Sequence, residues 1–336
     1  MIIARQFRLE QRPDGRPDAD CWSFDTATLP DLAHGEVLVR VDYLSLDPAM
    51  RGWMDDRASY APPVEIGAVM RALGVGEVVE SRADGFSAGD AVSGVLGVQD
   101  HAVVHANALH RIELSLAPPE RWLGALGMTG MTAWFGLLDV GKPTTGDTVL
   151  VSAASGAVGS VVAQIAARHG CRVVGIAGGE KKCAYLVDEL GLDAAIDYKS
   201  EKESLRAAVR RTCPDGVDVY FDNVGGETLD AALANLAMRA RIVICGAISQ
   251  YNTRGGAPGP SNYLALLVKR SRMEGMLVSD YADRFGEAVP TLAAWLADGT
   301  VKTREHVVEG FETFPDTFLM LFDGANHGKL VLKVGH

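Results

Sequence analysis

The run Asp147-Thr148-Val149-Leu150-Val151-Ser152-Ala153-Ala154-Ser155-Gly156-Ala157-Val158-Gly159 has the residue types of a phosphate cradle. An apolar strand leads into small residues, after which Val158, Val161, Val162, Ile165 and Ala166 recur at helical spacing and form one apolar stripe. Gly156 allows the backbone to approach a pyrophosphate, and Gly159 allows the helix to pack closely on its strand. The start of the helix, at Ala157 and Val158, supplies unpaired N–H groups and the positive end of the dipole. Ala154 stands where the glycine-rich fingerprint has its first glycine. The strand before, the helix after and a second strand at 172–176 nevertheless provide the full context of a dinucleotide site.

The end of that second strand discriminates between cofactors. An acid there binds the ribose hydroxyls and repels a 2′-phosphate. Here the strand ends in Ala177-Gly178-Gly179, followed by Glu180-Lys181-Lys182. A lysine gains a charge-assisted contact to a 2′-phosphate, which favours NADP, whereas Glu180 as the ribose acid is the competing reading.

Other reactive residue types carry less. Cys21, Cys171, Cys183, Cys213 and Cys245 are odd in number and show no CxxC spacing, against both a disulfide framework and a thiolate metal site. Buried apolar filler is the expectation for them. His101 and His105 have an i,i+4 spacing, but their segment reads as extended chain. Four residues of strand span roughly 13 Å, too far for one ion; no metal is expected.

These residues need a frame. The chain has 336 residues, 48% hydrophobic and 22% charged, enough for two packed domains. No apolar stretch reaches membrane-spanning length, and Arg5 and Arg8 interrupt the N-terminus where a signal peptide would be apolar. The net charge of −11 disfavours nucleic-acid and anionic-membrane partners, and a soluble cytoplasmic protein is the expectation. Alternating strands at 36–42, 75–80 and 88–92 with Gly, Pro and Asp turns predict a mainly β unit. From about residue 125, apolar strands at 148–152, 172–176, 194–196, 217–221, 241–245 and 273–278 alternate with helical stretches. That is the texture of a doubly wound parallel sheet. Strand texture returns at 305–310 and 328–334, around a helix-like stretch at 314–322. The expected domains are therefore 1–125 with 301–336, and 126–300 inserted between. The run Arg254-Gly255-Gly256-Ala257-Pro258-Gly259-Pro260 is the expected mobile segment.

Longer runs carry a family resemblance. They are Ser45-Leu46-Asp47-Pro48-Ala49-Met50-Arg51-Gly52, Gly127-Met128-Thr129-Gly130-Met131-Thr132-Ala133, Tyr220-Phe221-Asp222-Asn223-Val224-Gly225-Gly226-Glu227, Cys245-Gly246-Ala247-Ile248-Ser249-Gln250-Tyr251-Asn252, Arg272-Met273-Glu274-Gly275 and Gly324-Ala325-Asn326-His327-Gly328-Lys329. With the phosphate loop, they make the chain resemble the zinc-independent medium-chain dehydrogenase/reductases. The branch is that of leukotriene B4 12-hydroxydehydrogenase/prostaglandin reductase and curcumin reductase. The resemblance implies an α/β fold, a GroES-like mainly β domain plus a Rossmann domain with a six-stranded parallel sheet. It also implies NADP(H), reduction of a C=C bond conjugated to a carbonyl, and a homodimer. Contacts to the 2′-phosphate fall on Lys182 and Tyr198, and further cofactor contacts on Gly178, Asn223, Cys245, Gly246, Ala247, Ile248, Tyr251, Met276, Leu277, Val278 and Asn326. The segment Val69-Met70-Arg71-Ala72-Leu73-Gly74 lacks the Gly-His-Glu run of zinc-dependent relatives.

Such an enone or enal substrate needs a hydride at its β-carbon and a donor for the developing enolate oxygen. Tyr60, Tyr251 and Tyr263 are the candidate donors. Tyr60 lies in Ala58-Ser59-Tyr60-Ala61-Pro62-Pro63, which matches a stretch of bacterial curcumin-reductase-like members. Ala49 and Val268 occupy positions where many relatives have tyrosine, so a family-wide tyrosine mechanism is not carried over. Two alternatives stay open: a quinone oxidoreductase of the zeta-crystallin-like group, and a non-catalytic NADPH-binding protein.

Overall fold

The structure is a computed structural model that describes residues 2–200, 202–254 and 258–335. It divides into two compact units. One holds the residues up to Leu123, Tyr251–Arg254 and the segment from Glu305 onward; the other holds Gly124–Gln250 and the segment that ends at Arg304.

In the first unit, a mixed sheet orders its strands Glu305–Glu309, Lys329–Lys333, Glu36–Ser45, Leu73–Ser81, Ala91–Val95 and Leu109–Arg111, with His101–His105 also paired to Glu36–Ser45. Glu305–Glu309 and Lys329–Lys333 run parallel, and the other pairs are antiparallel. The third predicted strand begins later than expected, at Ala91, because Gly89 adopts φ 91° and takes the chain through a turn. His101–His105 is a strand, as its extended texture predicts. Two of the resembling runs meet in this unit. Lys329 and Asp47, both buried, form an ion pair at 2.9 Å; the Lys329 ammonium also donates to the Leu46 carbonyl at 3.0 Å, and the Ser45 hydroxyl donates to Asp47. Removing either partner would strand a buried charge, so the C-terminal strand is firmly registered on Glu36–Ser45.

The second unit is a parallel sheet of six strands: β1 Thr148–Val151, β2 Arg172–Ala177, β3 Ala194–Asp197, β4 Val217–Asp222, β5 Leu236–Ile244 and β6 Arg272–Gly275. Their spatial order is β3-β2-β1-β4-β5-β6, two halves that diverge from β1 and β4 as in a doubly wound dinucleotide fold. Every residue of β1 is buried, which explains why these strands read as continuous apolar runs rather than alternating ones. The helix Gly159–Arg168 departs from its predicted single stripe: Gly159 through Ala166 are all buried, including Ser160 and Gln164. The helix is covered on more than the sheet side. The Gln164 amide pairs with the Lys302 backbone in both directions at 2.8 Å, satisfying a polar group that would otherwise cost free energy to bury. Of the expected mobile run, positions 255–257 lie outside the described residues.

Candidate functional site

A strand of a parallel sheet delivers its C-terminal end into a loop, and in this sheet most of the predicted cofactor residues sit at such ends. The loop after β1 passes through Ala153, held at φ 47°, before the helix Gly159–Arg168 begins at Val158 without a side-chain cap. Gly159 has no room for a side chain: a Cβ there would lie 2.4 Å from the Ala153 carbonyl oxygen and 2.8 Å from the Ala154 Cα. Gly156 is different. Its Cβ would meet only the Ala153 oxygen, at 3.1 Å, so its bareness leaves an open face above the backbone rather than relieving a packed one. Uncapped helix N–H groups beside bare backbone are what a pyrophosphate requires.

β1 and β4 are tied together by a buried polar network. The Asp222 Oδ1 accepts from the Tyr220 hydroxyl at 2.8 Å, the Ser152 hydroxyl at 3.1 Å, and the backbone N–H groups of Val224 and Gly225 at 3.0 Å. Asn223 donates its side-chain amide to the Ser152 carbonyl at 2.7 Å and its backbone N–H to the Ser152 hydroxyl at 2.8 Å. Burial raises the Asp222 carboxyl above the ordinary range against these hydrogen bonds, and it pushes the Tyr220 hydroxyl far up. Neither Ser152 nor Asp222 stands out by residue type; their function is to hold Asn223. The loop after β5 is stitched to the same place, for Cys245 and Gly246 both donate to the Asp222 carbonyl and Ile248 donates to that of Asn223. Met276, just past the end of β6, donates to the Ile244 carbonyl at the end of β5. Burial, with Asp222 nearby, pushes the Cys245 thiol up to about 12.

The far end of the site is at β2 and β3. The Asp197 carboxylate accepts from the N–H groups of Gly179 at 2.7 Å and Lys199 at 2.9 Å, fixing both turns. A Cβ on Gly178 would lie 2.8 Å from the Tyr198 ring, 2.9 Å from its hydroxyl and 3.0 Å from the Lys199 Cε. The glycine therefore makes room for Tyr198 and Lys199. Burial lowers the Lys182 ammonium from its ordinary value, and the charge of Lys199 lowers it further. Two like charges drawn together beside a bare glycine and a phenol fit a doubly charged phosphate. Lys199 was not among the predicted residues; its signal was its place directly after Tyr198. Glu180 begins the short helix Glu180–Ala184.

Tyr60, Tyr251 and Asn326 belong to the other unit. Tyr60 is exposed, with the Arg71 guanidinium beside it; Arg71 also lies over the Trp53 ring and donates to the Pro62 carbonyl at 2.9 Å. The Asn326 amide donates to the Gly328 carbonyl at 2.9 Å. Tyr263 is in the Rossmann-like unit and exposed, next to Leu264 and close to the equally exposed Leu267 and Val268. Among the described residues, no group of three or more His, Cys, Asp or Glu side chains is placed to hold a metal ion.

The family model for the N-terminal domain of oxidoreductases matches residues 5–112, and the zinc-binding dehydrogenase model matches 157–294. Prostaglandin reductase 1 of Mus musculus is 41% identical, the match covering 99% of this chain and 100% of the relative. The chain belongs to the medium-chain dehydrogenase/reductases, in the branch of the prostaglandin and curcumin reductases. The NADP(+)-dependent 2-alkenal reductase of Nicotiana tabacum is 41% identical over 89% of this chain and 87% of its own. Among solved structures, CurA of Vibrio vulnificus in complex with NADPH superposes with a TM-score of 0.93 at 43% identity, covering 99% of both chains. The GroES-like and Rossmann assignments of the two sheets follow from this membership. No helix among the described residues is long and apolar enough to cross a membrane.

Proposed function

We propose that the protein is an NADPH-dependent reductase of the C=C bond in α,β-unsaturated aldehydes and ketones. The observation that carries this reading is the intact cofactor end of the parallel sheet, Gly156 to Gly159, Asn223 and the Lys182–Tyr198–Lys199 corner, on a chain 41% identical to a 2-alkenal reductase. The cofactor is NADP(H). When bound, it supplies the hydride for the β-carbon of the substrate.

The chain's own residues do the rest. The phosphate loop binds the pyrophosphate, and the corner at Lys182 binds the 2′-phosphate. Asn223, fixed by Ser152 and Asp222, orients the cofactor at the centre of the sheet, together with the run Cys245 to Ile248 and Met276 to Val278; the family resemblance assigns further cofactor contacts to Tyr251 and Asn326. Tyr60 is the first choice as donor to the enolate oxygen, since the neighbouring Arg71 stabilises the phenolate left after proton transfer. Tyr251 and Tyr263 are the alternatives. An enone is also an electrophile toward thiols, and Cys245, protonated throughout the neutral range, is a poor nucleophile toward it.

Two finer points go with this reading. The active form is a homodimer: among the described residues β6 has only β5 as a sheet neighbour, and Leu267 and Val268 close by are 75% and 68% exposed, an edge and an apolar surface that a second copy would cover. The location is cytoplasmic, in keeping with five free cysteines and a reducing compartment.

The deciding experiment follows loss of the dihydronicotinamide absorbance with a long-chain 2-alkenal, an aryl enone, a quinone and a saturated aldehyde, with NADH in parallel. Turnover of the enal and enone to saturated carbonyl products, preferring NADPH, is expected. Turnover of the quinone alone would make the protein a quinone reductase. Tight NADPH binding with no turnover would make it a non-catalytic binding protein.

A further inference from the structure

We propose that the Rossmann unit carries a second anion site, for a compact ligand with two or more linked phosphoryl groups. The site is a groove of about 600 Å³ lined by Lys142, Arg239, Arg241, Arg270, Ser271 and Arg272. It lies away from the cofactor end. Arg241 precedes Cys245 by four strand residues, roughly 13 Å, and Arg272 opens β6 rather than closing it.

Charge is the first argument. Five cations line the groove on a chain of net charge −11. Arg241 pairs with Asp147 and donates to the Gly141 and Lys142 carbonyls, and Arg272 has Glu274 at 3.8 Å and donates to the Val140 carbonyl, so neither is free. Among the described residues, Lys142, Arg239 and Arg270 have no carboxylate within ion-pair distance; Arg270 donates only to the Met238 sulfur, at 3.0 Å. Arg241 and Arg272 are direct register partners on β5 and β6, an arrangement of like charges that neighbouring strands normally avoid.

Backbone strain is the second argument, and it is independent of the first. Among the described residues four non-glycine residues have positive φ. Ala153 is in the phosphate loop; the other three are Lys142 at 46°, Arg239 at 63° and Arg270 at 52°, all in the groove. Lys142 and Arg270 each follow a helical segment as its left-handed cap, where glycine is the favoured residue. Arg239 sits where β5 bulges: one residue of β4, Asp218, lies between the pairs Val217/Leu236 and Val219/Arg241, where β5 has four, Ala237 to Ala240. At each of these positions glycine would cost the backbone nothing, and each instead carries a cation. Strain kept at three converging positions marks a function for the side chains. Between them, the Ser271 hydroxyl is shielded from solvent with no hydrogen-bond partner among the described residues, so a donor is available if the groove is filled.

The lining identifies the ligand class. Among the described residues that line the groove none is aromatic or aliphatic, so none of them would read a base or an acyl chain. Guanidinium forks match paired phosphate oxygens, and three cations without a carboxylate partner among the described residues exceed what one phosphoryl group needs.

The test uses the whole chain saturated with NADPH, so that the cofactor's own phosphate sites are filled. Inorganic tripolyphosphate is titrated calorimetrically, with adenosine triphosphate in a parallel arm. The wild type is expected to bind both equally, with affinity falling as salt rises. A triple variant with Lys142→Gly, Arg239→Gly and Arg270→Gly relieves the strain while removing the charges. It is expected to melt no lower than wild type, to keep NADPH affinity and turnover, and to bind tripolyphosphate at least tenfold more weakly. Arg270→Gly alone should weaken binding about threefold, and it stands in if the triple variant does not fold. Three results would overturn the proposal. One is no tripolyphosphate binding by the NADPH-saturated wild type, and another is unchanged binding by the variants. The third is a variant that alters only self-association, which would show that the cations pair with a second copy instead.

Discussion

At the residue scale, the corner formed by Gly178, Lys182, Tyr198 and Lys199 is where chemistry depends on single side chains. If Lys182 holds the 2′-phosphate as proposed, Lys182→Ala removes a charge-assisted contact of about 1.5–3 kcal/mol, roughly 10- to 100-fold in affinity. The expected outcome is a rise of that size in the KM for NADPH, with the KM for NADH changed less than about threefold. Lys199→Ala should move the same ratio in the same direction by less, because Lys199 is the more exposed of the two. Equal losses for both cofactors would place these lysines outside the 2′-phosphate site. Lys182 was legible because it falls within one turn of a strand that ends without an acid. Lys199 was not, since its nearness to Lys182 arises from the separate turn after β3, and that turn is set by the Asp197 carboxylate.

At the element scale, the two glycines of the phosphate loop separate folding from binding. Gly159→Ala places a methyl 2.4 Å from the Ala153 oxygen, an overpacking that typically costs about 1–3 kcal/mol. A melting temperature lower by several degrees is expected, with NADPH affinity lost as the helix shifts. Gly156→Ala meets one atom at 3.1 Å, so it should melt close to wild type and still bind NADPH at least tenfold more weakly. A Gly156→Ala variant that melts low but binds normally would assign that glycine to packing. β1, β2 and β4 were visible as apolar runs, because strands covered on both faces have little polar alternation to obscure them; β6, Arg272-Met273-Glu274-Gly275 and largely exposed, ends at Gly275, three residues before its predicted end. Strand starts were less visible too: β5 begins at Leu236, five residues before the predicted start. Its first half holds Met238, Arg239 and a bulge, which break the apolar pattern.

At the scale of the whole molecule, the proposed homodimer rests on β6 and the short helix Ala265–Lys269 beside it. Replacing Leu267 and Val268 with lysine puts two charges on the exposed apolar surface without touching the core. Sedimentation equilibrium is expected to give twice the chain mass of 35.8 kDa for wild type and the single mass for the variant. A wild type that sediments as a monomer would remove the dimer from the proposed function. The resemblance alone raised the homodimer; the exposure of Leu267 and Val268, ordinary in a helical sequence, is visible only once the helix has a side turned away from the sheet.

What the sequence determined by itself was local: apolar runs that must be buried strands, a small-residue loop ahead of an amphipathic helix, and a strand tip without an acid. Each follows from the properties of neighbouring residues, which remain the same wherever the chain goes. The tertiary structure alone decided which distant side chains share a neighbourhood. It brought Ser152 to Asp222, Lys329 to Asp47, Lys199 to Lys182 and Gly178, and cations from three separate segments into one groove. Such meetings depend on strand order and register, and a single residue of slip would send every side chain of a strand to the opposite face.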